Sequence, residues 1–299
     1  IQTGEYGEQL EEHLRYHSYK LRGIVNGIDY EMWNPKTDAA LAVNYDADDV
    51  LKRKKENKLA LQKELGLEQD EEKLVLGLIS RLTNQKGLDL FNAIIPQVMD
   101  GNTQIVVLGT GEERYENMFR HFAWKYGDKV AACIYYSNEM SHKIYAASDA
   151  FLMPSLFEPC GLSQLMSLRY GTLPIVRETG GLKDTVEPYN EYEETGTGFS
   201  FTNYNAHEML GAIRYAEEIY YDRKRSWNKI AERAMKADFS WSHSAKEYEK
   251  LQSNVVTAAR RGYVDLIIEP ADTRKYLVAA FEMLYTKCVC TPDKKHGTK

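Results

Sequence analysis

No apolar run in the sequence approaches the roughly 18 residues that a membrane span requires, so no membrane partner is expected. Cysteine is scarce. Cys133, Cys160, Cys288 and Cys290 are the only four in 299 residues, which excludes a disulfide framework in a chain of this length. Cys288 and Cys290 form a C-x-C pair, but no second ligand pair follows at zinc spacing, and the seven histidines include no H-E-x-x-H. No metal site is therefore expected, and the thiols fit a reduced, cytoplasmic protein. Positive charge is not in excess either: 38 Lys and Arg against 44 Asp and Glu give a net charge of −6, which argues against a nucleic-acid partner. There is no internal repeat, no low-complexity segment and no Ser-His-Asp order that stands out. The chain begins at Ile1, without Met or a signal-like segment, and is expected to be a processed product or a piece of a longer protein.

What is present is globular: 43% hydrophobic and 27% charged residues, in a length that suits about two domains. Residues 1–70 are polar and mixed. They predict a helix over 8–19, a short strand over 21–29 ending in a turn, and an exposed helix face at the basic run Lys52-Arg53-Lys54-Lys55. From Lys73 the pattern changes. Continuous apolar runs at 74–79, 104–108, 130–135, 150–153 and 173–176 alternate with helical segments at 88–99, 114–126, 141–147 and 161–170. Strand and helix at this pitch mean βαβ units, so the fold class is α/β with a doubly wound parallel sheet. Helices are expected at 206–221, 223–237 and 242–251. Beyond about residue 252 the character shifts, with a possible strand at 264–269 and a helix starting at Pro270 that carries Leu277, Phe281 and Leu284 on one face.

In such sheets ligands bind beyond the carboxyl ends of the strands. After the first strand comes Ser80-Arg81-Leu82-Thr83-Asn84-Gln85-Lys86-Gly87, with two cations on one short loop. A guanidinium fork and an ammonium there suit a diphosphate, the alternative being two solvated charges. After the second strand, Gly109-Thr110-Gly111 is only half of a dinucleotide fingerprint and reads better as a tight turn. After the fourth, Glu158 precedes Pro159-Cys160-Gly161-Leu162-Ser163, where a helix start leaves N–H groups for an anion or for sugar hydroxyls; Glu158 itself could be a cap. After the fifth, Thr179-Gly180-Gly181 makes another glycine turn at the same edge. Tyr135 and Tyr136 end the third strand and could stack on a base or pack in the core. Together these residues predict a phosphate- and sugar-binding cleft suited to a sugar nucleotide.

The motifs carry a resemblance. Asn26-Gly27-Ile28-Asp29, Trp33-Asn34-Pro35-Lys36-Thr37-Asp38, Ser80 through Leu88, Phe157-Glu158-Pro159-Cys160-Gly161-Leu162, Tyr170-Gly171-Thr172-Leu173-Pro174, Thr179-Gly180-Gly181-Leu182 and Asp238-Phe239-Ser240-Trp241 resemble, in order, the C-terminal half of bacterial glycogen and starch synthases. These are retaining glucosyltransferases of the GT-B fold. The resemblance implies the C-terminal Rossmann-like domain of that fold over residues 26–251, with 1–25 a remnant of an N-terminal domain whose remainder, and with it half of the interdomain cleft, is missing. It implies ADP-glucose as donor substrate, an α-1,4-glucan as acceptor, no cofactor, and little activity for this chain alone. Arg81 and Lys86 then correspond to the pair on the diphosphate, Glu158 to the acidic residue at the donor glucose, and Tyr136 to an aromatic that stacks on adenine. Cys160, Gly161, Leu162, Ser163, Thr179 and Gly180 line the donor. Related families carry a second Glu eight residues after the first, at a ribose contact; position 166 is Met here.

The last stretch departs from this pattern. Arg261-Gly262-Tyr263-Val264-Asp265, Ile268-Glu269-Pro270 and Pro292-Asp293-Lys294-Lys295-His296-Gly297 resemble the C-terminal end of the carboxyltransferase β-subunit of biotin-dependent acyl-CoA carboxylases. Residues 252–299 are expected to be a helical tail of separate origin, joined as a chimera, and are assigned no chemistry. Two other readings stay open: a non-catalytic nucleotide-sugar-binding module and, on the tail alone, a carboxylase-associated protein.

Overall fold

A computed structural model of the chain describes residues 4, 7 and 9–253. The chain divides into two compact units, Ile1–Ala245 and Lys246–Lys299, and the sheet with its helices belongs to the first. The elements expected at 264–269 and from Pro270, the tail from residue 254 onward, and Cys288 and Cys290 lie outside the described residues.

The chain enters through α1 (Glu11–Tyr16) and a 3-10 turn at Ser18–Lys20, neither of which buries a residue. The pattern over 8–19 predicts one longer helix. With no apolar face to dock, the segment keeps less than two turns. The strand expected over 21–29 reduces to a single bridge, Ile28 with Ser240, closed by Ile28 N–H donating to Phe239 O at 2.9 Å. Next come α2 (Val50–Leu65), β1 (Leu74–Ile79), α3 (Leu88–Met99), β2 (Thr103–Leu108), α4 (Glu113–Tyr126) and β3 (Val130–Cys133). They are followed by α5 (Asn138–Ala147), β4 (Ala150–Met153), α6 (Ser163–Arg169), β5 (Leu173–Arg177), α7 (Gly180–Thr185) and β6 (Phe199–Phe201). The helices α8 (Ala206–Asp222), α9 (Lys224–Lys236) and α10 (Trp241–Ser253) close the described chain.

The strands are parallel throughout, in the order β3-β2-β1-β4-β5-β6. This is the doubly wound sheet that the alternating runs predict. Every residue of β2 and β4 is buried, as apolar strands covered on both faces should be. Alternation along β1 splits the core in two. Leu74, Leu76 and Leu78 pack with α3, α4, α8 and α9, while Val75 packs on the opposite face with Leu61 of α2 and Ile144 of α5. From β1 the chain winds outward to β3 and then returns to place β4 on the other side of β1. The loops after β1 and β4 therefore part at a topological switch point and leave a crevice.

One sheet strand is shorter than expected and one was not expected. β3 stops at Cys133, two residues early, because the chain turns out to reach Ser137, whose hydroxyl caps α5 by accepting from Met140 N–H at 3.0 Å. β6 carries only three residues, too few for any periodicity to announce it.

The basic run is a further correction. The face of α2 that carries Lys54 and Lys58 points inward. Lys54 is 8% exposed, and its ammonium donates to the carbonyls of Tyr145 (3.0 Å), Ala146 (2.8 Å) and Tyr170 (3.2 Å) and to Thr172 Oγ1 (2.6 Å). Those carbonyls are the ends of α5 and α6, where the last turn leaves acceptors unpaired and the helix dipole is negative. A buried lysine is stable here because it closes two helices at once.

Candidate functional site

The switch point is built by loops that interlock through backbone. After β1, Gly87 sits at φ +68, and a Cβ there would overlap the Pro154 carbonyl of the β4 loop. Leu156 N–H donates to Gln85 O at 2.8 Å, and Gln85 Nε2 donates to Phe157 O at 3.1 Å. The β1 loop is also tied to the turn after β2: Leu82 N–H donates to Thr110 O at 2.9 Å, and Glu112 N–H to Leu82 O at 2.8 Å. Gly180, at φ +45, lies where a Cβ would overlap the Glu158 carbonyl, and Gly181 N–H donates to that carbonyl at 3.0 Å. Four strand-end loops are thus locked into one surface, chiefly through backbone.

On that surface Lys86 and Glu158 meet. Lys86 Nζ lies 2.5 Å from Glu158 Oε2, and the side chains are only 17% and 12% exposed. Ser155 Oγ donates to the same carboxylate oxygen at 3.3 Å. Arg81 is exposed, and its guanidinium makes no ion pair among the described residues. Arg81 and Lys86 both line a cavity of about 170 Å³ together with Ser155 and Ser163. Beside it a larger cavity of about 280 Å³ is walled by Arg81, Thr110, Tyr135, Tyr136 and Ser163, with Trp33 and Met166 among its other lining residues. The two cavities share Ile79, Ser80, Arg81 and Ser163, so they form one elongated cleft with Arg81 at the junction. A nucleotide sugar has that shape: base, diphosphate, sugar.

Each residue expected at the site can now be located. Arg81, Lys86, Tyr136 and Ser163 border the cleft, and Glu158 reaches it through its contact with Lys86. Cys160 is half-buried, Leu162 is 41% exposed, and both lie with Gly161 on the loop leading into α6. Thr179 is the cap position of α7 and Gly180 its first residue, exposed and packed against the Glu158 carbonyl. Tyr136 is 88% exposed and Tyr135 44%, so core packing is not their role. Among the described residues no group of three or more His, Cys, Asp or Glu is arranged to hold a metal ion.

Sequence reasoning missed the floor of the larger cavity. Trp33 is 8% exposed, and its indole stacks on His142 with ring centroids 4.1 Å apart and planes 12° apart. His142 Nδ1 lies 2.6 Å from Asp38 Oδ2, which also accepts from the Tyr170 hydroxyl at 2.5 Å. The motif containing Trp33 and Asp38 is thereby fastened to α5 and to the end of α6. Nothing in a single sequence brings His142 to Asp38, 104 residues away. Burial pushes the Asp38 carboxyl up, but hydrogen bonds from His142, Tyr170 and Ala40 N–H outweigh it and hold the group below its ordinary value. A carboxyl depressed in the folded state gives stability that is complete above its unfolded-state value, about 3.9, and lost as pH falls through the folded one. Asp38→Asn is therefore expected to lower the urea midpoint at pH 7 and to flatten its decline below about pH 4. Parallel acid limbs for the parent and the variant would contradict this coupling.

Similarity searches place these features among known proteins. The family model Glycosyl transferases group 1 matches residues 62–234. A second model, Carboxyl transferase domain, matches residues 207–298. Within that second span, Ile213 of α8 and Trp227 of α9 are core residues of the six-stranded unit, so the fold keeps both helices with the sheet. The chain is 65% identical over 255 residues to a glycogen synthase of Lachnospira eligens, covering 85% of this chain and 53% of that one. It is 60% identical over 250 residues to a glycogen synthase of Lachnoclostridium phytofermentans, covering 84% and 52%. It also superposes on the catalytic domain of starch synthase IV from Arabidopsis thaliana bound to ADP and acarbose, with a TM-score of 0.78 and 38% identity, over 84% of this chain and 52% of that one. The chain spans about half the length of the curated relatives it matches.

Proposed function

This chain belongs to the group 1 glycosyl transferases, and from that premise we propose that its cleft is the donor site of an ADP-glucose-dependent glucosyltransferase of the glycogen and starch synthase type. The observation that carries the proposal is the meeting of Arg81, Lys86 and Glu158 at the switch point, with the Tyr136 wall beyond. Arg81 and Lys86 bind the diphosphate and stabilise the charge that develops on departing ADP. Preorganised donors of this kind contribute roughly a hundred- to a thousandfold each. Glu158 faces the donor glucose, and Ser155 and Lys86 fix its carboxylate. Tyr136 stacks on adenine. The N–H groups of Gly161, Leu162 and Ser163, which have no acceptor among the described residues, take phosphate and glucose oxygens. Cys160, Thr179 and Gly180 complete the set of residues around the donor. Met166 gives the ribose an apolar neighbour instead of a carboxylate.

The acceptor in this reading is the non-reducing end of an α-1,4-glucan, the transfer retains the anomeric configuration, and the work is done in the cytoplasm without a cofactor. Donor binding belongs to this chain. Transfer requires the second domain of the GT-B pair, which completes the cleft. Residues 1–25 belong to that second domain, 26–251 to the donor-binding one, and 252–299 to a joined tail without a part in the chemistry.

Calorimetry with the purified chain tests the reading. ADP and ADP-glucose are expected to bind, UDP more weakly, and glucan elongation to be nearly absent. Tyr136→Ala should weaken ADP by about tenfold, the worth of one aromatic–base stack. A folded chain that does not bind ADP would sink the donor-site reading. Robust elongation by this chain alone would sink the division of labour.

A further inference from the structure

Gln164 is the second residue of α6 and is fully buried, yet it makes no contribution to an apolar core. Its side-chain nitrogen lies 3.0 Å from Cys160 O, 3.1 Å from Gly161 O and 3.2 Å from Thr185 Oγ1. Two of these acceptors are carbonyls, which can only accept, so the nitrogen and not the oxygen of the amide must face them. Gln164 Oε1 is left buried without a partner, an arrangement that costs stability. Thr185 in turn donates from its hydroxyl to Gly181 O at 2.6 Å. One amide therefore fastens the loop that follows β4 to the glycine turn that follows β5.

The consequence for the cleft follows from peptide geometry. Cis bonds are absent from the described backbone, and a trans peptide sets its C=O and N–H on opposite sides. Holding the carbonyls of Cys160 and Gly161 inward on Gln164 turns the N–H groups of Gly161 and Leu162 away from it. The next residue in the chain, Ser163, lines both cavities. Neither N–H has another acceptor among the described residues.

We infer that Gln164 is a positioning residue for the donor: it aims the Gly161 and Leu162 N–H groups at the distal phosphate and sugar of the nucleotide sugar without touching the ligand itself. This rests on the donor-site reading above and deepens it. It assigns the loop to the part of the ligand beyond the first phosphate, while the base is held separately at Tyr136.

The test titrates the chain with AMP, ADP and ADP-glucose. In Gln164→Leu, ADP-glucose affinity is expected to fall about tenfold or more, the worth of one charge-assisted hydrogen bond, with AMP affinity unchanged within about twofold. Equal losses for AMP and ADP-glucose, or no loss for either in a folded variant, overturn the inference. If Gln164→Leu does not fold, Gln164→Glu decides. A buried carboxyl has a raised pKa and donates only when protonated, so ADP-glucose affinity relative to the parent should recover from pH 8 to pH 6. A ratio that stays flat across that range overturns it. Failure of the parent chain to bind ADP overturns the donor-site reading and this inference together, whereas parent binding with an indifferent Gln164 overturns this inference alone.

Discussion

Lys86→Ala is expected to weaken ADP binding by about ten- to a hundredfold, and the reason is more than one lost contact. Hydrogen bonds to charged groups are worth about 1.5–3 kcal/mol, and each 1.4 kcal/mol is tenfold in affinity. Lys86 also masks Glu158, 2.5 Å away in a pocket where both side chains are mostly buried. With Arg81 and Lys86 on the smaller cavity and Glu158 paired to Lys86, this part of the site carries one net positive charge. Without Lys86 it carries none, and an incoming diphosphate meets an uncompensated carboxylate. The double variant Lys86→Ala/Glu158→Gln is therefore expected to bind ADP more tightly than Lys86→Ala alone, because it restores the net charge. A simple contact model gives the opposite order, since two residues near the ligand are then gone. Calorimetry of the parent and the three variants, including Glu158→Gln, separates the two. A double variant weaker than both singles would remove the electrostatic account.

The parts of this arrangement that could be read from the sequence share a physical basis. Strands buried on both faces must be apolar along their whole length, so 74–79 and 150–153 stand out from any background. In a parallel sheet the loops at the carboxyl ends of the strands share one edge, so Arg81, Lys86 and Glu158 could be brought together by topology alone. The residues that escaped obey no such rule. Lys54, Asn57, Lys58, Leu61 and Gln62 follow the spacing of a buried helical face, but four of the five are polar. A reading that equates buried with apolar turns α2 inside out. The stripe is polar because it meets the carbonyl ends of α5 and α6 and the carboxylate of Asp149. The same holds for His142, whose partner Asp38 is set by tertiary packing and has no signature in local spacing, and for the reach of Gln164 to Thr185.

The hidden polar stripe and the visible cleft lie on opposite sides of one design problem. The cleft requires loops that present free N–H groups and cations at the carboxyl edge of the sheet. Such loops lie beyond the strand ladders, so side chains behind them add to the few backbone bonds that tie them together. Gln164 serves the loop before α6, and Arg177 Nη1 serves Leu156 O at 2.5 Å. At the amino edge no ligand has to be admitted, and lysines can close the helices completely.

That amino edge carries the largest expected effect on folding. Lys58→Met is expected to lower the unfolding free energy by about 3–5 kcal/mol, as removal of one partner from a buried ion pair does. Domains of this kind hold about 5–15 kcal/mol in all, so the loss is a large fraction of the whole. Lys58 is 1% exposed, and its ammonium lies 2.7 Å from Asp149 Oδ2 and donates to Glu71 O, Lys73 O and the Tyr220 hydroxyl. Asp149 binds the strands themselves: its Oδ2 accepts from Val75 N–H, its N–H donates to Val75 O, and its carbonyl accepts from Leu173 N–H. Without the ammonium, that carboxylate is stranded where β1, β4 and β5 begin. Asp149→Asn keeps the acceptor and drops the charge, so Lys58→Met/Asp149→Asn should recover part of the loss. The pair is shielded from solvent, and 1 M salt should change the effect little. Lys36 and Asp46, at 2.9 Å with side chains 68% and 40% exposed, provide the contrast: solvent screens that pair, and Lys36→Ala should leave the urea midpoint nearly unchanged. Urea unfolding of the four proteins reads all of these at once. A Lys58→Met midpoint no lower than that of Lys36→Ala would mean that the buried stripe of α2 is not what holds the amino edge of the sheet together.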